Sequence, residues 1–259
     1  MSIRVDPDWW KTLFDEVYLL TDARSVCDPR ITRREVDLIC RLLPVKGSHK
    51  ILDLCGGHGR HSLELSSRGF HACTLLDYSQ TLIEIARKKA RQDELKVNLI
   101  CGDARQLDLP ADTYDHVIIM GNSMGYINKE GADGKILAEA FRVLRPGGWL
   151  LVDVADGQMI RSSFRPNAWH EIGEEIIVCR QREIQEDFIC AREIVLSKTN
   201  GLIRDRTYAI RLYDAAGLSA LLKSAGFTRI NIHTDFAPHD AIGDYGFMNN
   251  RMIATTQKN

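Results

Sequence analysis

The feature that most constrains this chain is a short apolar run followed by closely spaced glycines. Residues 51–60 read ILDLCGGHGR, so a buried strand can end at Leu54 and a helix can start near Arg60. Glycine permits a tight turn and lets a ligand approach the backbone closely. A helix that begins beside such a turn directs free N–H groups and the positive end of its dipole toward whatever binds there. The stretch predicts either a nucleotide-like cofactor site or a sharp turn without a ligand.

Strand and helix patterns alternate from residue 49 onward. Such alternation is typical of a parallel sheet covered by helices on both faces, with the loops that follow the strands at one edge. Ligands of open α/β sheets bind at that edge. The predicted strands are 50–54, 71–76, 97–101, 116–120 and 149–154, and the predicted helices between them are 61–68, 79–91 and 134–144.

Helical patterns also precede the first strand. Apolar residues recur at helical spacing over residues 9–17 behind Asp8, and again over residues 31–43, where Thr32 can act as a cap. We therefore predict two helices ahead of the sheet. At the far end of the chain, a helix that Asp214 caps and strands over 228–234 and 251–256 resume the earlier pattern.

A β-rich region separates the two parts of the alternating pattern. Asn200-Gly201 lies between two of its runs and is typical of a β-hairpin. The runs are 175–181, 183–197 and 202–212. We predict an α/β protein with a Rossmann-like, seven-stranded, mostly parallel sheet and helices on both faces. Its predicted parts are an N-terminal helical arm or lid over 1–46, the core over 47–154 and 213–259, and an antiparallel β insertion over 155–212 above the substrate site.

Composition excludes several classes of protein. The formal net charge of the 259 residues is −1, which gives no electrostatic argument for nucleic-acid binding, since such binding usually shows as a strong basic excess. No apolar run is long enough to span a bilayer. The seven cysteines are odd in number and form no CxxC pair, so we expect reduced thiols, with Cys40, Cys73 and Cys101 buried in apolar runs. We predict a cytoplasmic protein without nucleic-acid or membrane partners and without a metal site.

Two nucleotide cofactors compete at the glycine loop. A dinucleotide fingerprint has glycine in its third slot, where this chain has Ser62. Asp77 ends the second strand 18 residues after Gly59, where a carboxylate can accept hydrogen bonds from ribose hydroxyls. Asp103 follows the third strand and can accept a hydrogen bond from an adenine amino group. This second acid favours another adenosine-bearing cofactor over NAD or FAD, and an NAD(P)-binding oxidoreductase is kept as a less favoured alternative.

The chain resembles the class I S-adenosylmethionine-dependent methyltransferases. The likeness rests on residues 52–61, 76–79, 102–104 and 143–148, the last of which read VLRPGG, and it covers about residues 48–154. The family's loop usually reads acid-x-Gly-x-Gly-x-Gly, and Cys55 stands here in place of the first glycine. We expect this departure to alter the backbone geometry without abolishing binding.

The resemblance implies S-adenosyl-L-methionine as methyl donor and S-adenosyl-L-homocysteine as product. Gly57 and Gly59 would let the methionine part of the cofactor pass close to the main chain. Asp53 would hold the loop or reach the cofactor's amino group, and Asp77 would bind the ribose hydroxyls.

Further roles follow from the same resemblance. Tyr78 would lie beside the adenine, and Asp103 and Ala104 would bind its edge. The backbone at Met120 would meet the methionine amino group. Additional candidate partners of the methionine end are Tyr18, Arg24 and Arg60.

The methyl acceptor is less well defined by the sequence. The sequence does not identify a general base. His58-x-x-His61 has the spacing of a pair of metal ligands, but no third ligand lies nearby in the sequence. The arm and the insertion could roof a small-molecule pocket, so we predict methyl transfer to a nitrogen or oxygen of a small molecule, with RNA or protein as the alternative acceptor. The candidate substrate residues are Tyr126, His170 and Arg211; Arg204, Arg206 and Arg211 either meet an anionic acceptor or form a solvated face.

Overall fold

Four short helical segments precede the first strand in a computed structural model, which describes residues 2–234, 236–237, 239, 249 and 251–259. The single helix predicted over residues 9–17 is wrong. The side chain of Asp15 accepts a hydrogen bond from the N–H of Tyr18 at 3.0 Å and starts a new helix there. The segments are a 3-10 helix (Trp9–Lys11), α1 (Glu16–Thr21), α2 (Ala23–Val26) and α3 (Pro29–Leu42).

The second predicted helix exists, but it begins earlier than expected. Asp28 caps α3 by accepting a hydrogen bond from the N–H of Arg30 at 2.8 Å, and Pro29 occupies the first turn, where its missing N–H costs nothing. Thr32, the predicted cap, instead donates its hydroxyl to the carbonyl of Asp28 inside the helix.

Strands and helices then alternate as predicted. Ser79 caps the helix that follows the second strand by accepting a hydrogen bond from the N–H of Leu82 at 3.2 Å. The elements are β1 (Ile51–Leu54), α4 (Arg60–Ser67), β2 (Cys73–Asp77), α5 (Gln80–Gln92), β3 (Val97–Cys101), β4 (Tyr114–Ile119), α6 (Ala132–Val143) and β5 (Leu144–Ala155).

A four-stranded antiparallel sheet follows β5. The predicted hairpin at Asn200-Gly201 is confirmed, because Ser197 pairs with Gly201 where the last two strands meet. The run predicted over 183–197 is split at Glu186, whose φ of +51° turns the chain, and the first strand of this sheet was not predicted. The elements are α7 (Gly157–Ser162), β6 (Asn167–Ile172), β7 (Ile176–Gln185), β8 (Phe188–Ser197) and β9 (Gly201–Arg211).

The chain then returns to the main sheet through α8 (Ala215–Ser224), β10 (Thr228–His233) and β11 (Arg251–Gln257). The strand order is β10-β11-β5-β4-β1-β2-β3, in which only β11 runs antiparallel to its neighbours. The predicted Rossmann-like, seven-stranded, mostly parallel sheet is therefore confirmed.

Helices cover both faces of this sheet, because successive strand residues point to opposite sides. Ile51, Ile118 and Leu151 pack with Val36 and Ile39 of α3 on one face, and all five side chains are almost fully buried. On the other face, α6 and α8 cover the buried side chains of Leu52, Val117 and Val152.

The cysteines follow the prediction in part. All seven are free; Cys73 is buried and Cys40 is half-buried, but Cys101 is exposed and not buried as expected. Cys101 is the last residue of β3, the edge strand of the sheet, which has a neighbour on one side only. Within the described residues, no helix is both long and apolar enough to cross a membrane.

Candidate active site

The carboxyl ends of the central parallel strands open onto a cavity of about 1020 Å³, which we call the outer cavity. β1 lies between β2 and β4, so the chain proceeds outward from it in both directions, and open α/β sheets bind ligands at such a point. Ten predicted site residues line the outer cavity: Tyr18, Cys55, Gly57, Arg60, Asp77, Tyr78, Asp103, Ala104, Met120 and Tyr126.

The loop between β1 and α4 has a shape that its residues dictate. A Cβ on Gly56 would lie 2.5 Å from Cγ of Asp53, so any side chain there would overlap the strand beneath. Gly59 has a φ of +76° and begins α4, and it does not belong to the cavity wall. Cys55 also adopts a left-handed conformation, with a φ of +60°, which costs a non-glycine residue about 1 kcal/mol.

Asp53 supports this loop from behind. It is 1% exposed and does not line the outer cavity, whereas Asp77 and Asp103 do. One of its carboxylate oxygens accepts a hydrogen bond from the Ser62 hydroxyl at 2.8 Å, and the other is buried without a partner among the described residues. Burial raises the pKa of this carboxyl group. Asp53 lies inside β1 and not at its carboxyl end, which explains why it does not line the cavity.

Asp77 joins the glycine loop to the start of α5. One carboxylate oxygen accepts a hydrogen bond from the N–H of Gly57 at 2.7 Å, and the other accepts one from the N–H of Ser79 at 2.8 Å. Burial raises the pKa of Asp77 to about 6, although the two backbone donors oppose this shift. The carboxyl group therefore titrates close to the physiological range.

Aromatic and charged side chains surround the end of the cavity near Tyr78. The ring of Trp10 meets that of Tyr78 edge-on at 4.7 Å between centroids, and the Arg105 guanidinium lies 5.0 Å from the Trp10 ring. Arg105 also forms a two-pronged ion pair with Asp103, and this hydrogen bonding lowers the pKa of the Asp103 carboxyl group. Ala104 is buried beside them.

Trp10 is a cavity residue that the sequence did not reveal. Its neighbour Trp9 packs edge-on against Tyr126. Trp10 instead lines the outer cavity, with its indole N–H buried and without a partner among the described residues. The two rings diverge because the segment is a short 3-10 helix, in which neighbouring side chains face different directions.

The opposite end of the cavity is formed by the residue after β4 and by the arm. Met120 is 2% exposed and lines the outer cavity. Arg60 donates one guanidinium nitrogen to Glu35 and Thr32, while Nη2 is buried without a partner among the described residues. Arg24 is exposed and does not line the cavity, because α2 carries it outward.

A second cavity of about 620 Å³, which we call the inner chamber, adjoins the outer cavity. The two cavities share Phe14, Tyr18, Val26, Gly121 and Tyr126 as common walls. The remaining walls come from the arm, the loop after β4 and the antiparallel sheet: Trp9, Leu13, Asp22, Asn122, Arg180, Glu193, Arg204, Tyr208 and Ile210.

A buried ionic cluster forms one wall of the inner chamber. Glu193 accepts hydrogen bonds from Arg180 at 2.8 Å and from Arg204 at 2.7 Å. Arg180 also donates a hydrogen bond to Asp22, and Arg204 donates one to Asp15 at 2.9 Å, so both arginines join the antiparallel sheet to the arm. Arg204 therefore neither belongs to a solvated face nor offers itself freely to an anion. No local sequence pattern indicated that Arg180 and Glu193 belong to the site.

The three candidate substrate residues have different locations. Tyr126 lines both cavities, but His170 and Arg211 line neither. His170 lies on β6, at the edge of the antiparallel sheet, and burial lowers its pKa. Arg211 pairs with Asp133 at 3.3 Å and stacks over the ring of Phe188, while Arg206 is exposed.

The histidines of the glycine loop have protein partners of their own. His61 Nε2 bonds to Glu35 at 2.9 Å, and burial lowers the pKa of His58 to about 4. Within the described ranges, no group of three or more potential ligands could hold a metal ion.

Comparisons with known proteins cover the site and the fold. A family model described as a methyltransferase domain matches residues 51–148. The putative methyltransferase YqeM of Bacillus subtilis (strain 168) is 27% identical over 198 residues, which cover 75% of this chain and 78% of that protein. Further curated relatives match over 40% to 62% of their own length, so their whole-protein activities do not transfer directly.

Solved structures share the fold over nearly the whole chain. The CcbJ methyltransferase from Streptomyces caelestis has a TM-score of 0.76 at 19% identity and covers 98% of this chain and 99% of its own. The sugar N-methyltransferase KedS8 from Streptoalloteichus sp ATCC 53650 has a TM-score of 0.69 at 18% identity, over 100% of this chain and 97% of its own. Identities this low show a common fold.

The sheet order and the glycine loop at its switch point define a Rossmann-like, nucleotide-binding class of protein. Residues 51–148 match a methyltransferase domain, and the curated relative that matches over most of the chain is named a putative methyltransferase, so the chain contains a methyltransferase domain. The resemblance drawn from the sequence is confirmed, and methyl transfer is favoured over the nicotinamide alternative.

Proposed function

We propose that this enzyme methylates a nucleophilic nitrogen or oxygen of a small molecule that binds in the inner chamber. The observation that carries the proposal is the wall that the two cavities share, which includes Tyr18, Gly121 and Tyr126. In-line transfer requires the nucleophile to lie about 3–3.5 Å from the methyl carbon, and cavities that meet at common residues permit such an approach.

The outer cavity suits the methyl donor, whose positively charged sulfur supplies an activated methyl group. Its walls combine the glycine loop, the carboxylates of Asp77 and Asp103 and aromatic side chains, which suits a nucleoside with an amino-acid tail. Arg60 Nη2 and the Trp10 indole N–H are buried donors without partners among the described residues, and burying such donors is costly unless a ligand satisfies them. In our proposal Arg60 meets the methionine carboxylate, Asp77 the ribose hydroxyls, and Tyr78 and Trp10 the adenine.

This assignment predicts that cofactor binding depends on pH. Ribose hydroxyls donate hydrogen bonds to the ionised Asp77, so binding favours the charged form and releases the proton. Because the pKa of Asp77 is about 6 in the free protein, the Kd for S-adenosylhomocysteine should be constant above pH 7. Below pH 6 it should rise about tenfold per pH unit. Calorimetry from pH 5 to pH 8 measures this dependence. An Asp77→Asn variant should lose it, and a dependence shared by both proteins would contradict the assignment.

The inner chamber supports a small acceptor. The arm and the antiparallel sheet supply most of its walls, and aromatic and apolar side chains make up much of the lining, as in small-molecule sites. Its lining is largely aromatic and its charged side chains are paired with one another, which suits a small molecule better than a nucleic acid. KedS8, which has the same fold, is named a sugar N-methyltransferase.

The chamber's own residues favour nitrogen over oxygen. Burial raises the pKa of Tyr126 well above its usual value, so its phenol stays protonated at neutral pH. Arg180 and Arg204 outweigh the effect of burial and lower the pKa of Glu193, which makes it a weak base. A neutral amine needs no base before it attacks, since its lone pair forms the N–C bond and its proton leaves afterwards. An alcohol would need a base during transfer.

The proposal is tested with purified protein and a donor that carries a labelled methyl group. We expect label to be transferred to members of a panel of small amines, with hydroxy acids, phenols, total RNA and protein tested in parallel. Tyr208 lines the inner chamber and not the outer cavity, so Tyr208→Ala should reduce transfer without changing the Kd for S-adenosylhomocysteine by more than about threefold. Transfer to RNA or protein alone would overturn the small-molecule assignment. Stabilisation by NAD or NADP but not by S-adenosylhomocysteine would overturn the cofactor assignment.

A further inference from the structure

Five buried ionisable side chains form a continuous network behind the outer cavity. We call it the Glu35 network, and its other members are Arg60, His61, Asp153 and Arg251. Glu35 and Asp153 are 0% exposed and Arg251 is 1% exposed, which is unusual for charged residues. The network connects α3 of the arm, the start of α4, β5 and β11.

The contacts run from the arm to two places on the cavity wall. One oxygen of Glu35 accepts hydrogen bonds from Arg60 Nη1 and from His61 Nε2, and its other oxygen accepts one from Arg251 Nη1 at 2.7 Å. Arg251 Nε donates to Asp153 at 2.6 Å. The second oxygen of Asp153 accepts a hydrogen bond from the N–H of Gly121, the residue after Met120, at 2.8 Å.

Among the described residues, the charges within this network balance. Burial alone would raise the pKa of Glu35, but Arg60 and Arg251 hold it well below its usual value. Burial lowers the pKa of His61, so that ring is neutral. Two carboxylates thus face two guanidinium groups. A buried ionic network is not by itself a stabilising device compared with apolar packing, so its placement calls for a functional reason.

Both ends of the network touch the part of the cavity that we assign to the methionine end of the donor. At one end Arg60 keeps a buried nitrogen without a partner, and a Cβ on Gly121 would lie 3.6 Å from that nitrogen. At the other end Asp153 fixes the peptide that joins Met120 to Gly121. A methionine end carries one carboxylate and one ammonium group, so its binding adds no net charge to a balanced network.

We infer that Glu35, Asp153 and Arg251 are positioning residues for the amino-acid end of S-adenosylmethionine. They hold Arg60 and the Met120–Gly121 peptide in place, so less ordering is needed when the ligand binds. The inference rests on the proposed cofactor site, and it assigns a function to an arm residue that lies outside the matched domain.

The test compares two ligands in one variant. S-adenosylhomocysteine contains the amino-acid end, and 5′-methylthioadenosine contains the nucleoside without it. Glu35→Gln keeps the side-chain size but removes the charge that orients Arg60. We expect the Kd for S-adenosylhomocysteine to rise about 30-fold, and the Kd for methylthioadenosine to change less than about threefold, by calorimetry.

A matched control lies on the same helix. Asp37 is exposed and pairs with Arg68 at 2.5 Å, so Asp37→Asn should change neither Kd. If Glu35→Gln does not fold, Thr32→Val removes a weaker contact to Arg60, at 3.3 Å. This variant should raise the Kd for S-adenosylhomocysteine by about threefold to tenfold and leave the Kd for methylthioadenosine unchanged.

The outcomes separate this inference from the proposed function. Equal weakening of both ligands, or an unchanged Kd for S-adenosylhomocysteine in the variants, would refute the positioning role while leaving the cofactor site intact. Failure of the unmodified protein to bind S-adenosylhomocysteine at all would refute the proposed function itself.

Discussion

Replacing Asp77 by alanine should raise the Kd for S-adenosylhomocysteine by at least about 100-fold. Each hydrogen bond from a ribose hydroxyl to a carboxylate is worth about 1.5–3 kcal/mol, and about 1.4 kcal/mol corresponds to a factor of ten. The variant would also lose the acceptor for the N–H groups of Gly57 and Ser79. The loop that carries the methionine end would then be less well ordered. Calorimetric titration measures the change directly.

Asp103→Ala is the comparison for this result. Asp103 is part of the same wall, but Arg105 occupies its carboxylate and it is partly exposed, so its loss should weaken binding by about tenfold or less. A Kd that changes equally in both variants would show that Asp77 has no special role. A melting temperature of Asp77→Ala that still rises normally on addition of S-adenosylhomocysteine would argue against ribose binding there.

Glu193→Gln should lower the free energy of unfolding by about 3 kcal/mol, because removing one member of a buried ionic cluster leaves the others uncompensated. Arg180 and Arg204 are both buried and both depend on this carboxylate. The expected fall in Tm is about 6–12 °C for a chain of this size. Urea unfolding and calorimetry measure the two quantities.

The loss of stability caused by Glu193→Gln should be smaller in acid. The arginines hold the pKa of Glu193 below its ordinary value of 4.5, against the effect of burial. Its contribution to stability is therefore fully present above pH 4.5 and is lost as the pH falls through the lower pKa of the folded protein. The difference in unfolding free energy between variant and original should shrink over that range.

An exposed pair on the same two strands provides the control. Arg192 and Asp205 form an ion pair between β8 and β9, but both side chains are well exposed to solvent. Asp205→Asn should lower the unfolding free energy by less than about 1 kcal/mol. Equal losses in Asp205→Asn and Glu193→Gln would show that burial of the cluster at the chamber wall is not what makes it matter.

Features that depend on neighbouring residues could be predicted from the sequence. Ser79 and Asp214 cap their helices as expected, because a cap needs only the next three residues. The glycine loop and the acid at the end of β2 could be located for the same reason, and strand alternation then determines the edge of the sheet on which they lie. The predicted helix boundaries were wrong where a capping residue was overlooked, as at Asp15 and Asp28.

The walls of the two cavities could not be predicted in this way. Trp9 and Trp10 are adjacent and chemically identical, yet one packs against Tyr126 and the other lines the outer cavity. Arg204 and Arg211 lie on one strand, but neither reaches a substrate freely, because Glu193 and Asp133 hold them. Such outcomes depend on which side chains from other elements arrive opposite them.

By itself, then, the sequence determined the Rossmann-like sheet and the chemistry of the loop at its edge, because both follow from short-range patterns. Only the tertiary structure decided which charges are buried and paired. Glu35 lies in a run that reads as a charged helix surface, and its partner Arg251 is 216 residues away. No local pattern can predict a contact over that separation. The ion pair is strong only once α3 and β11 have packed together and excluded water from it.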